Sequence, residues 1–400
     1  MTSWRRALTF NVVVLSAASL LNDISSEMII PLLPFYLLAL HADVFVIGLI
    51  EGAGESLLAV VRVVSGHRSD TVGRRKAFIS GGYGLSTIAK GLLSVATVWP
   101  QVLASRVGDR FGKGVRDPPR DALLAESTPE ETRGTAFGFH RSMDTTGAIL
   151  GPLLALALVG AGLAVNSVFL LAAIPAAAAF GITFLLREHR RAPVRRPLFG
   201  SLGALPPALR RYLAVSALFS VGYIAMALFL VRGCELQYGQ GACDSASVLP
   251  SMIALYVAFN VVYAGLSYVV GRLSDRIGRR PILIAGYAAF GVVSMLFIVA
   301  DARLLLPLFL ALGLAIALVD GSQRAFVVDL SPPERKGLSL GAYHGLTAGM
   351  RLLSGLLAGA LYVGVGPEAA FGLAAGLALA ASAGLALLVK PPTRSGSPSA

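Results

Sequence analysis

Apolar residues fall in runs of about twenty or more, the length a helix needs to cross a bilayer, and short polar stretches separate them. Twelve runs can be marked, at 8–40, 45–65, 77–98, 101–125, 136–160 and 164–186, then at 212–231, 247–271, 281–300, 304–329, 338–364 and 369–389. Polar residues interrupt the first, fourth, fifth, tenth and eleventh. The pattern predicts an all-α membrane protein with twelve transmembrane helices. Composition agrees, because 55% apolar residues, 14% charged residues and a mean hydropathy of +0.72 lie outside the soluble globular range.

The chain repeats itself. GHRSDTVGRRK at 66–76 recurs as GRLSDRIGRRP at 271–281, a spacing of 205 residues, and STPEETRG at 127–134 is echoed by SPPERKG at 331–337. Each copy of the first motif is a short basic turn with one fixed acid, Asp70 or Asp275, held between two spanning runs. Two independent motifs in nearly one register divide the chain into homologous halves. These are an N-terminal six-helix bundle at 1–186, a linker at 187–211, a C-terminal six-helix bundle at 212–390 and a disordered tail at 391–400.

The net charge of +12 belongs to membrane orientation. With the N-terminus in the cytoplasm, 22 of the 34 Lys and Arg fall in cytoplasmic segments, and only Arg232 and Arg303 fall on the opposite side. That is the positive-inside signal, so no nucleic-acid partner is needed. Seven Arg of the linker share that side. The expected location is a bacterial cytoplasmic membrane, with both termini inside. Cys234 and Cys243 lie between the seventh and eighth runs on the external side, where a disulfide and two free thiols are equally open readings. No metal-ligand spacing accompanies them, and nothing calls for a cofactor.

Twelve spans, a central basic linker and the duplicated G-x-x-x-D-x-x-G-R-R turn resemble the major facilitator superfamily of secondary transporters, across nearly the whole chain. The resemblance implies two pseudo-symmetric bundles that rock about a central site. It assigns a conformational latch to Gly66, Asp70, Gly73, Arg74 and Arg75, with a weaker echo at Asp275, Arg279 and Arg280. RVGDRFGKGVRDPP at 106–119 fits the family's fourth-helix pattern in part, keeping Arg106, Gly112 and Gly114 but carrying Arg110 at the usual first Gly. Gly147, Gly151 and Pro152 look like the GxxxGP core of proton-coupled exporters, although such a string also serves close helix packing.

Ionisable groups at membrane depth cost at least about 2.5–3.5 kcal/mol each on insertion scales, so they are functional candidates by default. In the fourth run Arg106, Asp109, Arg110, Lys113, Arg116, Asp117, Arg120 and Asp121 share an arc of about 140° at 100° per residue, which predicts one face on a wet cavity. Asp23 and Glu27 sit one turn apart in the first run, and Glu51, Glu55 and Arg62 line one stripe of the second. Paired acids repel when both are ionised, which suits them to exchange protons. The proton-coupling candidates are therefore Asp23, Glu27, Glu51, Glu55 and Arg106. The cavity candidates are Asp109, Arg110, Lys113, Arg116, Asp117, Arg120, Asp144, Asp320, Arg324 and Arg351. Lys90 has no assigned role.

These features predict a monomeric, non-enzymatic carrier working by alternating access, with proton-coupled efflux of a small anionic, zwitterionic or metal-chelate solute. A proton-coupled importer of an organic anion shares every feature except the GxxxGP element. An intramembrane enzyme could use the same acids, but it has no need of twin repeats.

Overall fold

The computed structural model describes residues 7–188, 205–332 and 336–389. Most of the predicted linker, the tail and part of the second SPPERKG copy lie outside the described residues. Twelve spans follow in chain order. In the N-terminal half they are α1 (Phe10–Ile29, resuming as Leu33–Ala39), α2 (Val44–Val72), α3 (Lys76–Leu93), α4 (Trp99–Glu126), α5 (Arg133–Gly160) and α6 (Val165–Thr183). In the C-terminal half they are α7 (Pro207–Gly222, resuming as Met226–Tyr238), α8 (Leu249–Ile277), α9 (Arg279–Val299), α10 (Leu305–Asp329), α11 (Lys336–Gly364) and α12 (Pro367–Leu388). The molecule is thus an all-α membrane protein of twelve helices in two six-helix halves.

Ten spans are long and apolar enough to cross a membrane by themselves. The other two, α3 and α4, carry buried charge and pack against each other. The seventh run extends beyond its expected end, so Cys234 lies within the last segment of α7 rather than in a loop.

Each half places its duplicated turn at the same end of the bundle, here called the turn face. Gly73 ends α2 at φ +66° and Gly278 separates α8 from α9 at φ +94°. A side chain rarely adopts that backbone, which explains why the second glycine of the motif recurs at the 205-residue spacing. At the opposite, far face, Asp43 caps α2 by accepting from Val46 N at 2.9 Å. Cys234 and Cys243 are joined there as a disulfide with a Cα separation of 5.9 Å.

The halves meet along two related seams, α2 on α11 and α5 on α8. At the far face they share one apolar core, in which Met28, Ile47, Ile50 and Phe169 join Phe229, Met252, Tyr256 and Tyr362. At the turn face the N-terminal half has its own separate cluster around Leu15, Ile79, Tyr83 and Leu124. The bundles are therefore closed at the far face and parted toward the turns.

The far-face seam is unusually tight. A Cβ built on Gly48 would collide with the Gly355 carbonyl, and one built on Gly355 would collide with that of Gly48. A Cβ on Gly359 would lie 2.8 Å from the Phe45 Cα, and one on Gly52 would lie 3.2 Å from the Arg351 carbonyl. Small residues four apart on both helices let the backbones touch. The contact ends where the Ser56 hydroxyl donates to the Ala348 carbonyl at 2.6 Å.

Candidate functional site

Below that point a cavity of about 360 Å³ opens between the halves. From the N-terminal half it is lined by Asp23 and Glu27 of α1, Glu55 and Arg62 of α2, Lys113 of α4, and Arg141 and Asp144 of α5. The C-terminal half contributes Tyr263 of α8, Asp320, Gln323 and Arg324 of α10, and Tyr343, His344 and Arg351 of α11. Its uncharged walls are mostly small, including Ala59, Ala148, Ala264 and Ala348.

Close packing brings the acids of α1 to this place. A Cβ on Gly147 would stand 2.9 Å from the Asp23 Cβ, and one on Gly151 would stand 2.6 Å from the Glu27 Cβ. The GxxxGP element of α5 is thus the seat of the two α1 carboxylates, so packing and site formation are one function. In the C-terminal half the break in α7 frees the Tyr223 carbonyl. Ser354 of α11 satisfies it at 2.9 Å, while the Tyr223 ring supports the Arg351 guanidinium at 4.6 Å.

Two ties between the halves end on these carboxylates. Tyr256 of α8 donates to Glu27 at 2.7 Å, and Arg351 of α11 lies 3.6 Å from Glu55. Within the C-terminal half, Asp320 accepts from Tyr263 at 2.9 Å and pairs with Arg324 at 3.4 Å. Gln323 bridges the hydroxyls of Tyr287 and Tyr343. Tyr256 and Asn260 stand 205 residues after Glu51 and Glu55, so the acidic stripe of α2 recurs on α8 as a neutral polar one. Sequence reading missed Tyr256, whose signal is this register.

The charged face of α4 differs from expectation. Only Lys113 of its eight charges lines the cavity. Asp109, Arg110, Arg116, Asp117 and Arg120 instead belong to an ionic core inside the N-terminal half. Arg106 pairs with Glu51 at 2.9 Å, Arg110 with Glu55 at 3.2 Å, and Arg62 with Asp117 at 2.6 Å. Arg120 lies 3.6 Å from Asp117 and 2.9 Å from Asp121. Arg116, 2% exposed, donates to Ser86 at 2.7 Å and stacks on Tyr83 at 4.4 Å. Lys90 completes the core, donating to Ser26 at 2.8 Å and to the Asn22 side chain at 3.2 Å, with Asp109 at 4.0 Å. A polar helical face reads the same in sequence whether it meets water or opposite charges. Of the coupling candidates, Glu51 and Arg106 are therefore in this core, while Asp23, Glu27 and Glu55 face the cavity.

Removing one partner of a buried pair leaves the other charge uncompensated. Arg106→Leu should therefore lower stability by about 3–5 kcal/mol, read as a reduced melting temperature of the detergent-solubilised protein. Arg106→Leu with Glu51→Gln should recover part of that loss.

The latch residues tie each half to itself. Arg75 pairs with Asp70 at 2.5 Å and with Glu126 of α4 at 3.3 Å. Its backbone N–H, with that of Lys76, donates to Glu188. Gly66 packs its α2 backbone against Pro118. In the second copy Arg279 joins Asp275 and Asp329, and Arg280 donates to the Leu385 and Ala386 carbonyls at the end of α12. Arg74 has no ion pair among the described residues. With the turn face parted, neither turn bridges the halves.

Comparison with known proteins agrees with this architecture. The family model described as Major Facilitator Superfamily matches residues 15–259 and 244–400. An uncharacterized transporter of this type from Methanocaldococcus jannaschii is 34% identical over 387 residues, covering 96% of this chain and 95% of its own. The class G tetracycline resistance protein of Vibrio anguillarum is 29% identical over 286 residues, covering 68% of this chain and 70% of its own. A mutant of the nucleoside transporter NupG superposes with a TM-score of 0.77 at 14% identity, over 95% of this chain and 100% of that structure. With twin six-helix bundles about a central polar cavity and relatives spanning its length, the chain belongs to the major facilitator superfamily of secondary transporters.

Proposed function

We propose that the protein exports a small charged solute in exchange for protons, with Asp23 and Glu27 as the proton-binding groups and Glu55 as the charged partner of Arg351. One observation carries the reading: among the described residues the carboxylate ties between the halves, Tyr256 to Glu27 and Arg351 to Glu55, end on acids that face the cavity, and of these Glu27 has only a neutral hydroxyl as its close partner. Protonating Glu27 weakens its charge-assisted hydrogen bond to Tyr256, while Glu55 stays matched by Arg110 and Arg351. That event loosens the halves, and alternating access follows from their rocking. The other charges bearing on Asp23 and Glu27 are Lys113 and Arg110 of α4, Arg116 and Arg120 deeper in that helix, and Asp144 of α5.

Efflux is supported by the GxxxGP element that seats the two acids and by the tetracycline resistance relative. The positive-inside distribution supports a cytoplasmic turn face; the same reading has the chain working as a monomer in a bacterial inner membrane, with the bundles bounded as 1–186 and 212–390. Solute classes consistent with a cavity carrying both signs are anions, zwitterions and chelated metals.

Proteoliposomes holding an internal pH dye test this. Adding anionic, cationic, zwitterionic or chelated-metal solutes outside should make one class raise the internal pH, because an exchanger releases a proton from the lumen for each solute that enters. Internal acidification would replace export with symport. Solute entry without any pH change would remove the proton from the cycle.

A further inference from the structure

Most charges lining the cavity are already matched by the protein. Glu55 lies between Arg110 and Arg351, Arg62 binds Asp117, Asp320 holds Tyr263 and Arg324, and Glu27 holds Tyr256. Asp23 and Lys113 are different: neither makes a hydrogen bond or ion pair among the described residues, and both face the cavity. Asp144 is close to the same condition. Its nearest cation, Arg141, is 3.9 Å away, as is the His140 ring, and its Oδ1 is buried without a hydrogen-bond partner.

These groups form two poles. Asp144 lies on α5 one turn before Gly147, the residue pressed against Asp23, so the two carboxylates converge from facing helices. Lys113 approaches from α4. Asp23 and Lys113 bear on each other across the cavity without reaching ion-pair distance, so a ligand that carries both charges and fits between them gives each a close partner. A lipophilic body would leave both poles unpaired and would meet mostly small apolar side chains, Ala59, Ala148, Ala264 and Ala348. At about 360 Å³ the space lies at the small end of ligand pockets, which run from about 300 to 1,000 Å³.

We infer that the transported solute is a small amphoteric molecule, its cationic amine held between Asp23 and Asp144 and its carboxylate held by Lys113. This rests on the transporter reading of the cavity but not on proton coupling, and it makes the amine a competitor for the carboxylate that the exchange scheme gives to a proton.

Binding to the full-length chain in detergent, with no pH gradient, tests the inference by calorimetry. The probes are 2-aminobutanoate, 4-aminobutanoate and 6-aminohexanoate, with n-butylamine and butanoate as single-charge controls. At least one amino acid should bind about 10- to 100-fold more tightly than either control, since an unpaired buried partner costs that much discrimination or more. Lys113→Gln should bring the amino acid down to the affinity of butylamine, and Asp23→Asn should bring it down to that of butanoate. Lys113→Arg should preserve the preference, which separates loss of charge from loss of fold. Absence of binding by all three amino acids, equal binding of the controls, or an unchanged preference in Lys113→Gln overturns the inference. A chain that binds amino acids but moves no protons keeps it and overturns the coupling scheme alone.

Discussion

Asp23→Asn combined with Glu27→Gln should reduce solute-driven proton movement in proteoliposomes to the level of protein-free vesicles while the protein stays folded. Both substitutions keep side-chain shape, so the close approach of α1 to Gly147 and Gly151 survives, and the amide oxygen introduced by Glu27→Gln still accepts from Tyr256. Neutral replacements facing a cavity avoid the usual causes of large destabilisation, so stability should change by about 1 kcal/mol or less. The single variants divide the roles. Asp23 makes no hydrogen bond or ion pair among the described residues, so its loss should fall mainly on solute affinity and proton release. Glu27 is tied to α8, so its loss should fall on the link between proton and movement, visible as solute flux that continues without pH change. Glu51→Gln is the contrast, because Glu51 pairs with Arg106 inside the bundle. It should lower thermal stability without uncoupling the remaining flux. Proton movement in the double variant at the wild-type rate, in correctly folded protein, would end the assignment of these acids.

The parts of this architecture that the sequence carried are those set by one helix or one turn. Twelve spans follow from run length, and Gly73 and Gly278 mark the ends of α2 and α8 because positive φ admits little else. Asp23, Glu27, Glu55, Lys113 and Asp144 stood out as charges at membrane depth and do face the cavity. What the sequence concealed depends on pairing between distant segments. The polar stripe of α4 looked like a cavity wall, yet Glu51, Arg62 and Lys90 reach it from α2 and α3 and fold most of it into an ionic core. Tyr256 lay unnoticed in an apolar run because it is neutral, although it binds a carboxylate of the other half. The two halves diverge in the same sense. Where the N-terminal interior is ionic, the C-terminal interior is a cluster of rings in which Phe229 contacts Phe290, Phe297 and Phe371. One bundle thus carries the charge while the other supplies hydrogen-bond partners and a rigid aromatic body.

Gly355→Val should shift the carrier from the far-face-closed state toward one closed at the turn face. Its Cβ would occupy the space of the Gly48 carbonyl, and both neighbours are backbone that cannot rotate away. Overpacking of this kind costs about 1–3 kcal/mol, charged only against the state in which α2 and α11 touch, so the ratio of the two states should move by about 10- to 100-fold. The shift can be read with Thr145→Cys, which places a thiol in the cavity; the native Cys234 and Cys243 are held as a disulfide and add little background. A membrane-impermeant maleimide should label this thiol readily from the turn face in the parent. In the Gly355→Val background labelling from the far face should rise by up to about that factor, while labelling from the turn face slows by a smaller factor because the parent already favours that opening, and transport falls, since each cycle must revisit the blocked state. Gly376→Val on α12 is the control, because nothing lies within 4 Å of its added Cβ. Gly48→Val should reproduce the Gly355 result from the other half. Unchanged labelling in both glycine variants, with the proteins folded and inserted, would mean that backbone contact between α2 and α11 does not decide which face is open, and the gate would then have to reside in the α5–α8 seam.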